Sequence, residues 1–71
     1  MMKEELKIKI GKRIVQLRIQ KKMNQSDLAR NCNKDRQSIE KIENGKVNST
    51  IYSLYEIANG LDISLSTLLD I

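Results

Sequence analysis

The residues of this chain that could carry out chemistry lie within one short segment. Arg36, Gln37 and Lys41 recur at the spacing of one side of a helix. Ile39 and Ile42 occupy the opposite side and would be buried. Arginine and lysine can donate to O6 and N7 of guanine, and glutamine can pair in the same bidentate way with adenine. A short helix with such a polar, partly basic side therefore has the shape and chemistry of an element that binds the DNA major groove.

The composition excludes several other kinds of site. The chain has no histidine and one cysteine, Cys32, so it has neither a zinc-binding pattern nor a nucleophile with a histidine base. No pair of acids and no glycine-rich phosphate loop suggests an enzyme or a cofactor, and no pocket for a small molecule is expected. Two tyrosines, without tryptophan or phenylalanine, argue against stacking on single-stranded nucleic acid.

The charges are distributed unevenly along the 71 residues. All 13 lysines and arginines lie within residues 1–46, together with six of the nine acids. Such a basic first part and acidic last part suit a domain that docks on a polyanion with one side. The alternative is that lysine-rich helices are simply well solvated. The apolar runs are too short to span a membrane, and the first residues lack the apolar core of a signal peptide, so we expect a cytoplasmic protein.

The first helix is predicted by apolar residues at i, i+4, i+8 and i+11, and its stripe consists of Leu6, Ile10, Ile14 and Leu17. The alternating residues 6–10 also fit a short strand. We prefer a helix because the stripe continues past Gly11, although a glycine there is expected to weaken the first turns.

Two helices joined by a tight corner are predicted next. Asn24 can cap a second helix that runs to about Cys32. Asn33 suits the corner because asparagine tolerates a positive φ, and Asp35 can cap the third helix.

The third helix should cover about residues 36–43 and end at Gly45 in the left-handed conformation. Thr50 is placed to cap a fourth helix, and Ser64 to cap a last one over about residues 64–70. The sequence thus predicts an all-α domain of five short helices without strands.

These motifs resemble the helix-turn-helix family of lambdoid phage repressors and Cro proteins, also called the XRE family, over about residues 10–70. The matching segments are Leu17-Arg18, Gln25-Ser26-Asp27-Leu28-Ala29 and Ile39-Glu40-Lys41-Ile42-Glu43-Asn44-Gly45. Each is weak alone, but their combined spacing is specific. The resemblance implies one compact, five-helix, lambda-repressor-like domain over residues 1–71, with the helix-turn-helix at about residues 24–44.

The resemblance also implies which residues contact DNA. Those expected to touch bases are Arg36, Gln37 and Lys41. Those expected to touch the sugar–phosphate backbone are Asn24, Gln25, Ser38, Asn44 and Lys46. Asn44 could instead only terminate the helix, and Lys46 could be merely solvated.

Three features concern the third helix and the segments on either side of it. In similar proteins an arginine that ends the first helix pairs with the glutamate that closes the third, which implies a partly buried ion pair between Arg18 and Glu43. Lys34 replaces an apolar residue that is usual after the corner, so we expect a looser corner. The loop 47–50 lacks the basic residues with which similar proteins reach the minor groove.

Family members generally bind DNA as two-fold dimers. The apolar residues available for such a contact lie in the C-terminal segment, about residues 64–70 and just beyond, and are Leu65, Leu68, Leu69 and Ile71, with Tyr52 or Tyr55 at their flank. The alternative is a monomer in which these leucines all face inward.

The expected function is a sequence-specific regulator of transcription, of the repressor or restriction–modification controller type, that binds a palindromic operator in double-stranded DNA as a homodimer. RNA polymerase is a further candidate partner, through an acid such as Asp27. The alternative is a protein-interaction module of the same shape, such as an antitoxin that neutralises a toxin. Such a module would not need Arg36, Gln37 and Lys41 beside a capped Asn24-Gln25.

Overall fold

The computed structural model describes residues 3–71 and contains, within that range, five helices and no strand. The helices are α1 (Lys3–Gln20), α2 (Gln25–Asn31), α3 (Arg36–Glu43), α4 (Ile51–Gly60) and α5 (Leu65–Leu68). The all-α prediction is confirmed, and the strand considered for residues 6–10 was wrong. The last helix is shorter than the predicted range 64–70, because the chain leaves the helix at Leu69.

The helices begin where the sequence predicts. Asn24, Asp35, Thr50 and Ser64 each stand in an extended conformation before a helix, and each side chain accepts a hydrogen bond from the backbone N–H three residues later. These bonds satisfy N–H groups that have no partner within the helix. Because this signal is local, the positions of α2 to α5 follow directly from residue type.

The corner between α2 and α3 is closed more firmly than expected. Asn33 has the predicted positive φ, 57°. Lys34 donates its backbone N–H to the Ala29 carbonyl at 2.9 Å, and its Nζ lies 2.9 Å from Glu56 Oε1 in α4. The expectation of a loose corner was therefore wrong, since an ion pair to α4 takes the place of the usual apolar contact.

Gly11 allows α1 to lie directly against the end of α3. A Cβ atom at this position would lie 2.7 Å from the Ile42 carbonyl oxygen, and closer still to that of Glu43. The helix nevertheless runs unbroken through Gly11. This residue was expected only to weaken α1, whereas its effect is to bring the backbones of α1 and α3 together.

The core lies where the five helices meet. It consists of buried side chains from every helix, of which the largest fully buried ones are Ile14, Leu28, Ile39, Ile57, Leu61 and Leu68. Ile10, Met23 and Leu65 are among the partly buried side chains that pack against it. The side of α3 opposite its polar residues thus packs into the apolar core. Burial of apolar surface in this core stabilises the fold by about 25 cal/mol per Å².

Candidate nucleic-acid interface

The solvent side of α3 carries the three residues predicted to touch bases. Arg36, Gln37 and Lys41 are all exposed, whereas Ile39 and Ile42 are buried in the core. Arg36 and Gln37 lie in the first turn of α3, and Lys41 follows one turn later. A helix presented in this way leaves its first two turns free to enter a groove.

The orientation of α3 is fixed by the buried carboxylate of Glu43, whose side chain is only 3% exposed. Arg18 binds it with two parallel contacts, Nε to Oε2 at 2.8 Å and Nη2 to Oε1 at 3.1 Å. The Gln25 amide donates a third bond to Oε1 at 2.9 Å, and Arg18 Nη1 also donates to the Met23 carbonyl at 3.0 Å. A buried charge requires this kind of multiple, bidentate compensation. The network joins α1, α2 and α3 at one point.

Gln25 occupies a position that sequence reasoning did not anticipate. It was predicted to contact the DNA backbone, and its amide nitrogen is bonded to Glu43. The two residues lie 18 positions apart, and no local spacing connects them. One indication of this contact was present in the sequence: Gln25 begins α2, and only a short turn separates it from the end of α1, where Arg18 lies.

An open polar cleft lies beside this network, where the end of α1 meets the starts of α2 and α3. Its lining consists of Arg18, Asn24, Gln25, Ser26 and Arg36. Two guanidinium groups, two side-chain amides and one hydroxyl suit an anion with several oxygens.

The end of α3 is tied to the following loop by Glu40. The Oε1 atom of Glu40 accepts hydrogen bonds from Asn44 Nδ2 at 2.7 Å and from Lys46 Nζ at 3.3 Å. The ammonium group of Lys46 holds the pKa of Glu40 below its ordinary value, and Asn44 and Arg36 act in the same direction. Asn44 and Lys46, which are both predicted to contact the DNA backbone, are therefore held in place by the Glu40 carboxylate. The sequence alone predicted no role for Glu40. Its i,i+4 spacing with Arg36 and Asn44 was the available signal.

The carboxylate of Asp27, the residue considered for a contact with polymerase, is engaged within α2. Its Oδ2 accepts the backbone N–H of Asn24 at 3.0 Å, and its Oδ1 lies 2.7 Å from Arg30 Nη2. The hydrogen bond from Asn24, followed by the contacts of Arg30, lowers the pKa of Asp27. The carboxylate completes a capping box at the start of the helix.

The predicted dimer residues divide into two groups. Leu68 has no exposed surface, so this side chain belongs to the core of its own protomer and not to a dimer surface. Of the others, Leu69 and Ile71 border an apolar groove, whose lining is Leu6, Ile10, Ser49, Ile51, Leu54, Leu69 and Ile71. Leu65 is half-buried, and Tyr52 and Tyr55 are exposed on α4.

No group of His, Cys, Asp and Glu side chains within residues 3–71 is arranged to hold a metal ion. Over the same residues, none of the helices combines the length and apolar character that crossing a bilayer requires.

Comparison with known proteins identifies the family. The profile of the helix-turn-helix family HTH_3 matches residues 14–68. The chain belongs to this family. HTH_3 proteins are DNA-binding regulators of transcription and not enzymes. The resemblance inferred from the motifs is thereby confirmed.

Solved structures of other HTH_3-type proteins have the same fold. The restriction–modification controller protein C.AhdI from Aeromonas hydrophila is 29% identical, with a TM-score of 0.88 over 92% of this chain and 94% of that one. The wild-type controller protein C.Esp1396I is 39% identical, with a TM-score of 0.83 over 90% of this chain and 86% of that one. An HTH_3 regulator from Vibrio cholerae is 25% identical, with a TM-score of 0.90 over 94% of this chain and 38% of that one. No curated protein matches the chain significantly.

Proposed function

We propose that this HTH_3 protein is a sequence-specific regulator of the restriction–modification controller type. It binds a palindromic operator in double-stranded DNA as a homodimer. The observation that carries this proposal is the exposed polar side of α3, held in one orientation by the buried Glu43–Arg18–Gln25 network. A helix that reads bases must be held rigidly, because a small rotation removes its side chains from the base edges.

The proposed base contacts are those of Arg36, Gln37 and Lys41. Arg36 suits guanine, Gln37 suits adenine, and Lys41 reaches either a guanine or a phosphate. Each good pairing contributes about 1–3 kcal/mol of discrimination against the wrong base. Together these contacts supply the specificity of the half-site.

The proposed backbone contacts surround this helix. The cleft beside Arg18 accepts one phosphate, next to Asn24 and Gln25. Ser38, Asn44 and Lys46 contact the backbone along and beyond α3. Phosphate contacts supply affinity that is independent of sequence and falls as salt rises, because they release condensed counterions.

Similarity to controller proteins supports the regulatory role. Two such proteins are 29% and 39% identical, and the shared region covers most of both chains. The alignment therefore spans most of each controller protein and is not confined to the helix-turn-helix motif. Whether the protein represses or activates a promoter depends on where its operator lies relative to that promoter.

The homodimer is supported by the geometry that an operator imposes. Two half-sites lie about 34–36 Å apart, and one domain of 30 Å length cannot read both. The apolar groove bordered by Ile51, Leu69 and Ile71 supplies a surface without charged side chains for the contact between protomers. A two-fold pairing at this surface would bury exposed side chains such as Ile51 and Ile71.

Selection from a random library of double-stranded DNA tests the proposal. The bound sequences should converge on a palindrome, and affinity for it should fall steeply between two salt concentrations. Substituting Arg36 or Gln37 with alanine should relax preference at particular bases, whereas Lys46→Ala should weaken all sequences alike. If no sequence is enriched and binding is weak even at low salt, the proposal fails and a protein partner becomes the better hypothesis.

A further inference from the structure

Glu40 is an acid on a surface proposed to meet a polyanion. It lies on α3 one turn after Arg36, and its side chain is 36% exposed. On a helical projection it falls between Arg36 and Gln37, within the solvent-facing arc of the helix. A carboxylate at this position opposes binding to phosphate, so its presence requires a compensating contact.

The two carboxylate oxygens of Glu40 differ in their hydrogen bonds. Oε1 accepts the hydrogen bonds from Asn44 and Lys46, which hold the side chain in place. Within residues 3–71, Oε2 accepts no hydrogen bond. Glu40 thus presents a fixed, charged acceptor on the exposed side of α3.

The major groove offers such an acceptor only two kinds of donor, the exocyclic amines of cytosine and adenine. Guanine and thymine present acceptors there, which would leave the carboxylate desolvated without a partner. Adenine places its N7 acceptor beside its amine, whereas cytosine presents the amine without a neighbouring acceptor. Cytosine is therefore the base that fits best.

We propose that Glu40 is a specificity-determining residue, whose Oε2 accepts the N4 amine of one cytosine in each half-site. This inference rests on the proposed function, since it assigns a further base contact to the same helix. Glu40 discriminates mainly by repelling bases that present only acceptors, while the neighbouring side chains of Lys46 and Arg36 offset its negative charge.

The variants Glu40→Gln and Glu40→Ala separate this role from a structural one. In Glu40→Gln the amide oxygen can still accept from Asn44 and Lys46, while an N–H donor replaces Oε2. Asp62→Asn is a matched control, because it removes one negative charge from an exposed residue outside α3. Asparagine also tolerates the positive φ of 59° at that position.

The experiment is selection of binding sites by all four proteins at one salt concentration, with melting temperatures measured in parallel. The wild type and Asp62→Asn should prefer cytosine at the same position of each half-site, by roughly 5- to 150-fold. Glu40→Gln should lose this preference in favour of bases that present an acceptor. Glu40→Ala should lose it as well and should bind unrelated DNA more tightly than the wild type.

Two results would overturn the inference while leaving the proposed function intact. One is a Glu40→Gln protein that retains the wild-type preference at every position. The other is a Glu40→Ala protein that binds all sequences more weakly by one factor and melts at a lower temperature, as expected if Glu40 only fastens the end of α3. If the wild type itself enriches no site, the proposed function fails and the inference fails with it.

Discussion

At the scale of single residues, the Glu43 carboxylate has the largest predicted effect on stability. Glu43→Ala leaves the Arg18 guanidinium, whose side chain is 14% exposed, without its partner, and leaves the Gln25 amide without its acceptor. Breaking one partner of such a buried pair typically costs about 3–5 kcal/mol. The free energy of unfolding in urea should fall by this amount. Affinity for the operator should also fall, because α3 is no longer held in one orientation.

A surface pair provides the control for this prediction. Glu4, whose side chain is 73% exposed, lies 3.1 Å from Lys7 on α1. Glu4→Ala should change the free energy of unfolding by no more than about 1 kcal/mol, because the Glu4 carboxylate is exposed to solvent. Equal unfolding curves for wild type and Glu43→Ala would show that the Arg18–Glu43 pair does not stabilise the fold.

The cap of α3 should produce a dependence of stability on acid. Hydrogen bonds from Ser38 lower the pKa of Asp35 below its ordinary value of 3.8. The unfolded chain therefore takes up this proton more readily, so the contribution of the carboxylate is complete well above pH 3.8, declines as the pH approaches this value, and is lost as the pH falls through the lower pKa of the folded state. The stability difference between wild type and Asp35→Asn should shrink from about pH 5 to about pH 3. A difference that stays constant over this range would exclude Asp35 as the source.

At the scale of helices, Gly11 sets the distance between α1 and α3. Alanine usually stabilises a helix relative to glycine, by up to about 1 kcal/mol. Gly11→Ala should do the opposite, because its Cβ would meet the carbonyl oxygens of Ile42 and Glu43. The expected loss is about 1–3 kcal/mol or more, as for an overpacked site.

Thermal unfolding measures this effect, with Lys12→Ala as the control on the exposed side of the same helix. Gly11→Ala should also weaken operator binding, because separating the helices disturbs the Arg18–Glu43 contact. An unchanged or raised melting temperature for Gly11→Ala would mean that α1 and α3 can move apart at no cost.

The boundaries of the helices were predictable, whereas the contacts between them were only partly so. Asn24, Asp35 and Thr50 act on N–H groups three residues away, and the polar side of α3 follows from its periodicity. The bond from Gln25 to Glu43 and the ion pair from Lys34 to Glu56 connect residues far apart in sequence. Such contacts depend on how the helices cross, and residue type alone does not determine that.

The apolar C-terminal segment illustrates the same limit. Its composition indicated more leucine than the core requires, and all of these residues were assigned to a dimer surface. Leu68 is fully buried, whereas Ile71 is 48% exposed. Leu68 is the last residue of α5, whereas Ile71 lies beyond the end of that helix, and composition does not report this difference.

At the scale of the whole molecule, the proposed dimer depends on the apolar groove. Ile51→Glu and Ile71→Glu place a charge at two exposed positions of its lining. Both variants should sediment as 8.2 kDa monomers under conditions in which the wild type has twice that mass, and both should bind the operator more weakly. Burying an unpaired carboxylate in the interface is the physical reason.

Ile19→Glu is the matched control, because Ile19 is also an exposed isoleucine, at 62%, but does not line the groove. It should sediment as the wild type does. A wild type that remains at 8.2 kDa up to high micromolar concentration, both free and on the operator, would exclude the homodimer.

The most direct test of base reading by α3 is to titrate the selected operator, a set of operators with single base changes, and unrelated DNA with wild type and Gln37→Ala. Gln37→Ala should lose discrimination of about 1–3 kcal/mol at one base pair of each half-site. Its affinity for unrelated DNA should be unchanged, since Gln37 carries no charge. A uniform loss on all DNA, or equal discrimination by the two proteins, would contradict the claim that α3 reads the operator through this residue.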